Sequence, residues 1–426
     1  MDFKVALAEA EREYAERHPG SRAAMTRMAA WMPGGDTRST TWFRPYPLVM
    51  DRAERVEMTD VDGNVVLDFL GNYTALVHGH RPPFILAAIE DALRRDFLFG
   101  TPMPEQGELA RRIVERLDSA ERVRFTNSGT EAGMLAARVA RRFTGRTRLA
   151  LAEHSYHGSY DQLVWDAAER TGATTFPAND VGGAERALDA AGPLAAVFLE
   201  PVLGSGGIIT VENDFLRFLR EYTRRTGALL IFDEVMTFRL GHGGRQQATG
   251  VAPDLTMLGK IIGGGMPVGA VAGRADVLAV TDPSAPGSME HSGTFNGHRL
   301  TMVAGAAGLD ALDRAAIERL NRLGDRLRDG LLKVADGAKV PVSVTSCGSL
   351  VNLHAAADVT TPAQAEGAAH SGLARYLHLA LINRGVLMAH RGEMCISTAM
   401  TEDTVDRAVA AAADALAEAA RLEGLE

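Results

Sequence analysis

Short apolar runs without polar alternation recur through the middle of the chain, at 122–125, 147–151, 195–199, 228–232, 255–258 and 268–272. Most are rich in Val, Ile, Leu and Phe, the pattern of strands buried on both faces. Stretches with helical spacing lie among them, including 131–143 and 215–226. Strand–helix alternation of this kind predicts an α/β domain on a largely parallel sheet. The flanks are patterned differently. Residues 48–70 read as a small antiparallel unit with Asp62-Gly63 as its hairpin turn. Beyond about residue 300 a long helical stretch leads into a mixed segment, 340–355, and then further helices, one of them Ala-rich at 408–420. The predicted organisation is a large domain at 71–305 and a smaller α+β domain made from both chain ends, 1–70 and 306–426.

A chain of 426 residues suits two domains better than one simple core. Its net charge of −9 is spread along the sequence, which argues against nucleic acid or an anionic membrane as the main partner. Cys347 and Cys395 give neither a disulfide framework nor zinc-ligand spacing, so no metal is expected. No apolar run approaches the roughly 18 residues a membrane span needs. The first residues show neither a signal-peptide nor a transit pattern. The expectation is a soluble, cytoplasmic protein.

In parallel sheets of this class, ligands sit beyond the carboxyl ends of the strands. Four such ends carry chemistry. Asn127-Ser128-Gly129-Thr130-Glu131 stands between an apolar run and a helix. Glycine, two hydroxyls and a helix N-terminus suit a phosphate, although Ser or Thr ahead of Glu is equally an ordinary helix cap. Ser155-Tyr156-His157-Gly158 offers an aromatic face for a planar ring, or a loop pair with structural hydrogen bonds. Asp233, after a buried strand, needs a cationic or hydrogen-bonding partner: a protonated pyridine nitrogen, or an arginine such as Arg239. Lys260, between an apolar run and Gly263-Gly264-Gly265, reads as a desolvated nucleophilic amine or as a surface lysine. Because the lysine precedes the glycines, the segment does not fit a Walker A loop. Taken together, a phosphate cup, a stacking aromatic, a carboxylate and an amine are what pyridoxal 5′-phosphate requires.

At these residues the sequence resembles the class III aminotransferases of pyridoxal-phosphate fold type I. Ser-Gly-Thr-Glu, Tyr-His-Gly, Glu-Pro-Val, Phe-Asp-Glu-Val, Gly-Lys and Gly-Thr-Phe elements follow one another in family order. Met32-Pro33-Gly34-Gly35, Asp233-Glu234-Val235-Met236 and Ser292-Gly293-Thr294-Phe295-Asn296-Gly297 are similar to the branch that holds β-amino-acid aminotransferases and glutamate-1-semialdehyde aminomutases. The resemblance implies that Lys260 bonds the cofactor and then shuttles a proton, and that Asp233 pairs with the pyridinium nitrogen. Val235 and Tyr156 would lie on the two ring faces, with His157 and Glu200 nearby. Ser128, Gly129 and Thr130 would hold the phosphate. Thr294 would reach the phosphate of a second subunit, making the active unit a homodimer with composite sites. Arg38 matches an arginine that grips a substrate carboxylate, and Arg391 a carboxyl-terminal-domain arginine of related transaminases. Trp42, Phe43 and Tyr73 are candidates for an apolar substrate pocket or for core.

Aminomutases typically carry a Ser-x-Phe-Glu-type segment where this chain has His390-Arg391-Gly392-Glu393. That departure favours an aminotransferase moving an amino group from a carboxylate-bearing amine, a β-amino acid above all, to a keto acid. The alternative is intramolecular transfer of the aminomutase kind. A non-catalytic cofactor- or nucleotide-binding module is disfavoured, since binding alone needs no lysine–aspartate pair.

Overall fold

A computed structural model describes residues 2–424, the Glu169 side chain excepted. The chain divides into two compact units, one of residues 74–77 and 83–318, the other of residues 1–73, 78–82 and 319–426. The division at 318/319 falls inside one continuous helix, Arg314–Ala338.

The first unit holds a seven-stranded sheet. Its strands in chain order are β1 (Arg122–Thr126), β2 (Arg148–Ala152), β3 (Thr174–Phe176), β4 (Leu194–Leu199), β5 (Leu229–Asp233), β6 (Leu255–Gly259) and β7 (Gly269–Gly273). Across the sheet the order is β1-β7-β6-β5-β4-β2-β3. All pairings are parallel except those of β7, which runs antiparallel to both β6 and β1. The apolar runs lack alternation because both faces are covered. Val197, Leu199, Leu230 and Phe232 pack into one core with Phe215 and Leu219 of the helix Asn213–Thr226. Phe198, Leu229, Ile231 and Met257 face the other way, against Leu135 and Val139. Full burial of such a side chain contributes about 2 kcal/mol. β3 escapes the sequence pattern because Thr-Thr-Phe is neither long nor apolar.

The helix Gly129–Thr144 shows how the sequence fixes an element. Ala132, Leu135, Ala136, Val139 and Ala140 fall at helical spacing on one buried stripe. Ser128 caps its start, and Gly145 ends it at φ +69°, a left-handed conformation that suits glycine.

The second unit contains the antiparallel strands Met50–Glu54, Glu57–Asp60 and Val65–Asp68, with Gly63 at φ +88° in the turn before the third. The short strand Val386–Leu387 pairs in parallel with Val65–Asp68, so the two chain ends do share a sheet. A second sheet joins Ser343–Cys347, Leu350–His354 and Glu393–Cys395. The helices Phe3–Arg17, Gly372–Asn383 and Glu402–Ala419 enclose a core that includes Tyr14, Leu377, Leu379 and Leu416. Among the described residues no helix is long and apolar enough to cross a membrane.

Candidate active site

Strand register gathers four polar segments at one edge of the seven-stranded sheet. Thr126 of β1 pairs with Gly269 of β7, which pairs with Gly259 of β6; Asp233 of β5 pairs with Met257 of β6, and Phe232 with Leu199 of β4. The residues that follow Thr126, Gly259, Asp233 and Leu199 therefore emerge side by side.

Beyond β1, Ser128 Oγ accepts the N–H of Glu131 at 3.1 Å, and Glu131 Oε2 accepts the N–H of Asn127 at 2.8 Å. This is a helix cap, as the bland sequence alternative held. It leaves the N–H groups of Gly129 and Thr130, which no intrahelical carbonyl can reach, at the positive end of a 16-residue helix. Cap and anion cradle are thus the same object. Gly158, at φ +101°, brings the next loop against it: a Cβ there would lie 2.4 Å from Thr130 Oγ1. The Ser159 N–H donates to that hydroxyl at 3.2 Å.

Asp233 ends β5 with 5 % of its surface exposed. Its Oδ1 accepts the Val235 N–H at 3.0 Å, and its Oδ2 lies 2.9 Å from His157 Nδ1. A buried carboxylate held in this way can still accept one further N–H, such as that of a protonated pyridine. His157 is buried too, and its Nε2 has no partner among the described residues. The neighbouring Glu234 points elsewhere. It takes hydrogen bonds from Thr237, Arg245 and Gln246 and anchors the helix Gly244–Thr249.

The Val235 side chain lies between the cup and the lysine. A Cβ on Gly129 would sit 3.4 Å from one of its methyls, and a Cβ on Gly259 3.3 Å from the other. Lys260 follows at once, half-buried and at φ +50°. A left-handed lysine costs about 1 kcal/mol, and such strain gathers where function fixes a residue. Glu200, just past β4, accepts the N–H of Tyr156 at 2.8 Å and of Gly204 at 3.1 Å. Burial, then the negative charge of Asp233, pushes its carboxyl up to about 7, with His157 pulling the other way. Tyr156 is 50 % exposed. Thr294 is exposed as well, and Asn296 in the same loop accepts from Asn127 Nδ2 at 2.9 Å, beside the cup. Phosphate donors, the Val235 methyls, an oriented carboxylate and the turn that carries Lys260 gather at these strand ends, and residues of this kind fit pyridoxal 5′-phosphate.

A model of the aminotransferase class-III family matches residues 39–188 and 184–419. The chain belongs to the class III aminotransferases. As a class III aminotransferase it uses pyridoxal 5′-phosphate. It is 38 % identical over 415 residues to a β-phenylalanine transaminase of Variovorax paradoxus, covering 95 % of this chain and 94 % of that one. A glutamate-1-semialdehyde 2,1-aminomutase of Methanothrix thermoacetophila is 39 % identical over 350 residues, 78 % of this chain and 80 % of the other. Among solved structures, the Variovorax paradoxus β-phenylalanine aminotransferase superposes with a TM-score of 0.92 at 37 % identity, with 97 % of each chain covered. An ω-transaminase from Sphaerobacter thermophilus gives 0.90 at 38 %, covering 96 % of this chain and 99 % of the other.

The residues expected to meet substrate lie in the second unit of this aminotransferase. Arg38, Phe43 and Tyr73 line a cavity of about 400 Å³. Arg38 Nη1 donates to Asn72 Oδ1 at 2.7 Å. No carboxylate among the described residues lies within ion-pair distance of its guanidinium. The Tyr73 hydroxyl donates to the Thr40 carbonyl. Trp42 is 42 % exposed and is not among the lining residues. Arg391 follows His390, which does line the cavity, and its guanidinium stands 3.9 Å from Glu393. His378, also on the cavity wall, leaves no signal in the chain's pattern, because it sits in an apolar helix that reads as plain core.

Proposed function

We propose that this aminotransferase takes the amino group of a β-amino acid and passes it to a keto acid, working in the cytoplasm as a homodimer. The observation that carries the substrate class is Arg38: a planar fork on the wall of a largely apolar cavity, near Asp36 but at ion-pair distance from no carboxylate among the described residues. That combination suits a carboxylate whose carbon skeleton is hydrophobic. The similarity to a β-phenylalanine transaminase along nearly the whole chain supports the same reading. Arg391, only loosely paired with Glu393, is the proposed second carboxylate ligand, for the acceptor.

Bound at the strand ends, pyridoxal 5′-phosphate supplies an aldehyde for amines and a ring that draws electrons from the reacting carbon. In the proposed division of labour, the Gly129 and Thr130 amides and the Ser128 and Thr130 hydroxyls hold the phosphate. Asp233, oriented by His157, accepts the pyridine N–H and keeps that nitrogen protonated. Val235 and Tyr156 would flank the ring, and Glu200 holds the Tyr156 backbone in place. Lys260 Nζ would hold the cofactor at rest and, once displaced by the substrate amine, would take and return a proton at the substrate carbon.

The homodimer is supported by apolar exposure. Phe97, Phe99 and Phe295 are 46 %, 44 % and 57 % exposed, and Phe97 and Phe295 both lie near His298. A monomer rarely leaves such a patch in water. A second copy covering it would bring its own Thr294 toward the neighbouring phosphate cup.

The test is a half-reaction screen. Purified holoenzyme is mixed with α-, β- and ω-amines, and the cofactor spectrum is followed. Conversion by β-amino acids, with amine returned only to an added keto acid, is the expected result. Turnover of a semialdehyde amine without any keto acid would instead assign the aminomutase reaction. Arg38→Ala is expected to raise KM for the β-amino acid about 100-fold while kcat changes far less, as loss of a charge-assisted bidentate contact requires.

A further inference from the structure

The phosphate cup carries a carboxylate of its own. Glu131 stands in the first turn of the helix whose leading amides form the cup. In an ordinary capping box such a residue reaches back to the N–H of the cap. Here its Oε2 reaches one residue further and takes two donors from Asn127, the backbone N–H at 2.8 Å and Nδ2 at 3.2 Å. Asn127 Nδ2 also donates to Asn296 Oδ1 at 2.9 Å. Glu131, Asn127 and Asn296 are all half-buried. An ionised carboxylate only accepts, so the amide nitrogen of Asn127 must face Glu131. The second hydrogen on that nitrogen is left for Asn296, whose oxygen must face it. A single acid thus dictates the orientation of two amides in a row.

Asn296 is itself held in place. Its N–H donates to the Gly293 carbonyl at 3.0 Å and closes a turn. Its side chain folds back over that turn: a Cβ on Gly293 would lie 2.6 Å from Oδ1 and 2.8 Å from Nδ2. The carbonyl of the next residue, Gly297, accepts Gln106 Nε2 at 3.1 Å. Gln106 belongs to the helix Pro104–Arg116, which buries Leu109 and Ile113. The loop is therefore tied to the cup on one side and to an anchored helix on the other.

We propose that Asn296 is a positioning residue for the cofactor phosphate. Through Asn127 it pins the Glu131 carboxylate and the segment that leads into Ser128. Without that pin the acid is freer to swing toward a phosphate of like charge, and the Gly129 and Thr130 amides lose part of their preorganisation. The inference rests on the reading of Ser128, Gly129 and Thr130 as the phosphate cup. It concerns the chain's own cup and does not depend on a second subunit.

The experiment measures binding to the cofactor-free full chain by calorimetry, so activity plays no part. The probes are 4-deoxypyridoxine and its 5′-phosphate, which differ only in the phosphate and cannot bond Lys260. The ratio of their dissociation constants isolates the share of the phosphate. Asn296→Ala is expected to lower the preference for the phosphorylated probe about tenfold, the equivalent of one lost hydrogen bond, and to leave the plain probe within about twofold of wild type. Gly293→Ala is expected to act in the same direction, because its methyl group displaces the Asn296 amide from a backbone that accepts alanine. A wild-type preference in Asn296→Ala, or equal weakening of both probes, overturns the proposal. Should Asn296→Ala fail to fold, Gly293→Ala decides by the same criteria. The double variant Ser128→Ala, Thr130→Ala separates the two ideas. A wild-type preference there means that the cup reading has failed; a lost preference there beside a wild-type one in Asn296→Ala overturns the role of Asn296 alone.

Discussion

Asp233, Glu200 and His157 form a buried acid–acid–imidazole group whose charges depend on one another. The Glu200 carboxyl, raised to about 7, would titrate near 4.5 in an unfolded chain. Between those values the folded protein keeps a proton the unfolded chain has lost. Stability therefore falls as pH rises through that window, and the loss is complete above about 7. Glu200→Gln removes the dependence, so thermal unfolding of the cofactor-free protein from about pH 5 to about pH 8 is expected to slope less than wild type. An unchanged slope would place the titrating proton elsewhere. Lys260 carries the sharpest residue-level expectation. Lys260→Ala is expected to lose the visible band of the lysine-bound cofactor and to slow transamination about 1,000-fold or more. A variant that kept both would remove the lysine from the chemistry. Residue types alone made Asp233 and Lys260 stand out, because a carboxylate and an amine beside apolar runs demand partners. They did not reveal that the aspartate is oriented by His157, nor that Glu234 next to it is a structural anchor.

At the scale of elements, strand register does the positioning. β7 runs antiparallel between β1 and β6, and its first residue, Gly269, sits where a side chain has no room. A Cβ there would lie 1.9 Å from the Ser128 carbonyl oxygen and 2.4 Å from Thr126 Oγ1. Gly269→Ala must push the phosphate cup away from the lysine strand. The expected results are about 1–3 kcal/mol of lost stability, as for other overpacked cores, and weaker retention of the cofactor on dialysis. Wild-type retention would show that the cup tolerates the shift. The apolar runs foretold six of the seven strands, since burial on both faces leaves an unbroken hydrophobic signature. β3 carries no such signature, being three residues long at the sheet edge. The direction of β7 was equally invisible, because a buried strand reads the same either way.

For the whole molecule, the exposed phenylalanines on the large unit set the expectation for assembly. Replacing Phe97 and Phe295 together by Glu is expected to shift sedimentation from dimer toward monomer and to make activity depend on protein concentration. Unchanged sedimentation would assign that apolar surface another role. The order of motifs along the chain, the strand–helix alternation and the identities of the amine, the carboxylate and the cup follow from the sequence alone, because each is written in local spacing and in residue types that cannot be buried without a partner. The tertiary structure alone decided which groups meet. It brought Gly129, Val235 and Gly259 together across more than 100 residues of chain, turned His157 onto Asp233, and left His378 with no hydrogen-bond partner among the described residues. Those outcomes depend on register and on packing between distant segments, for which no local pattern in the chain leaves a trace.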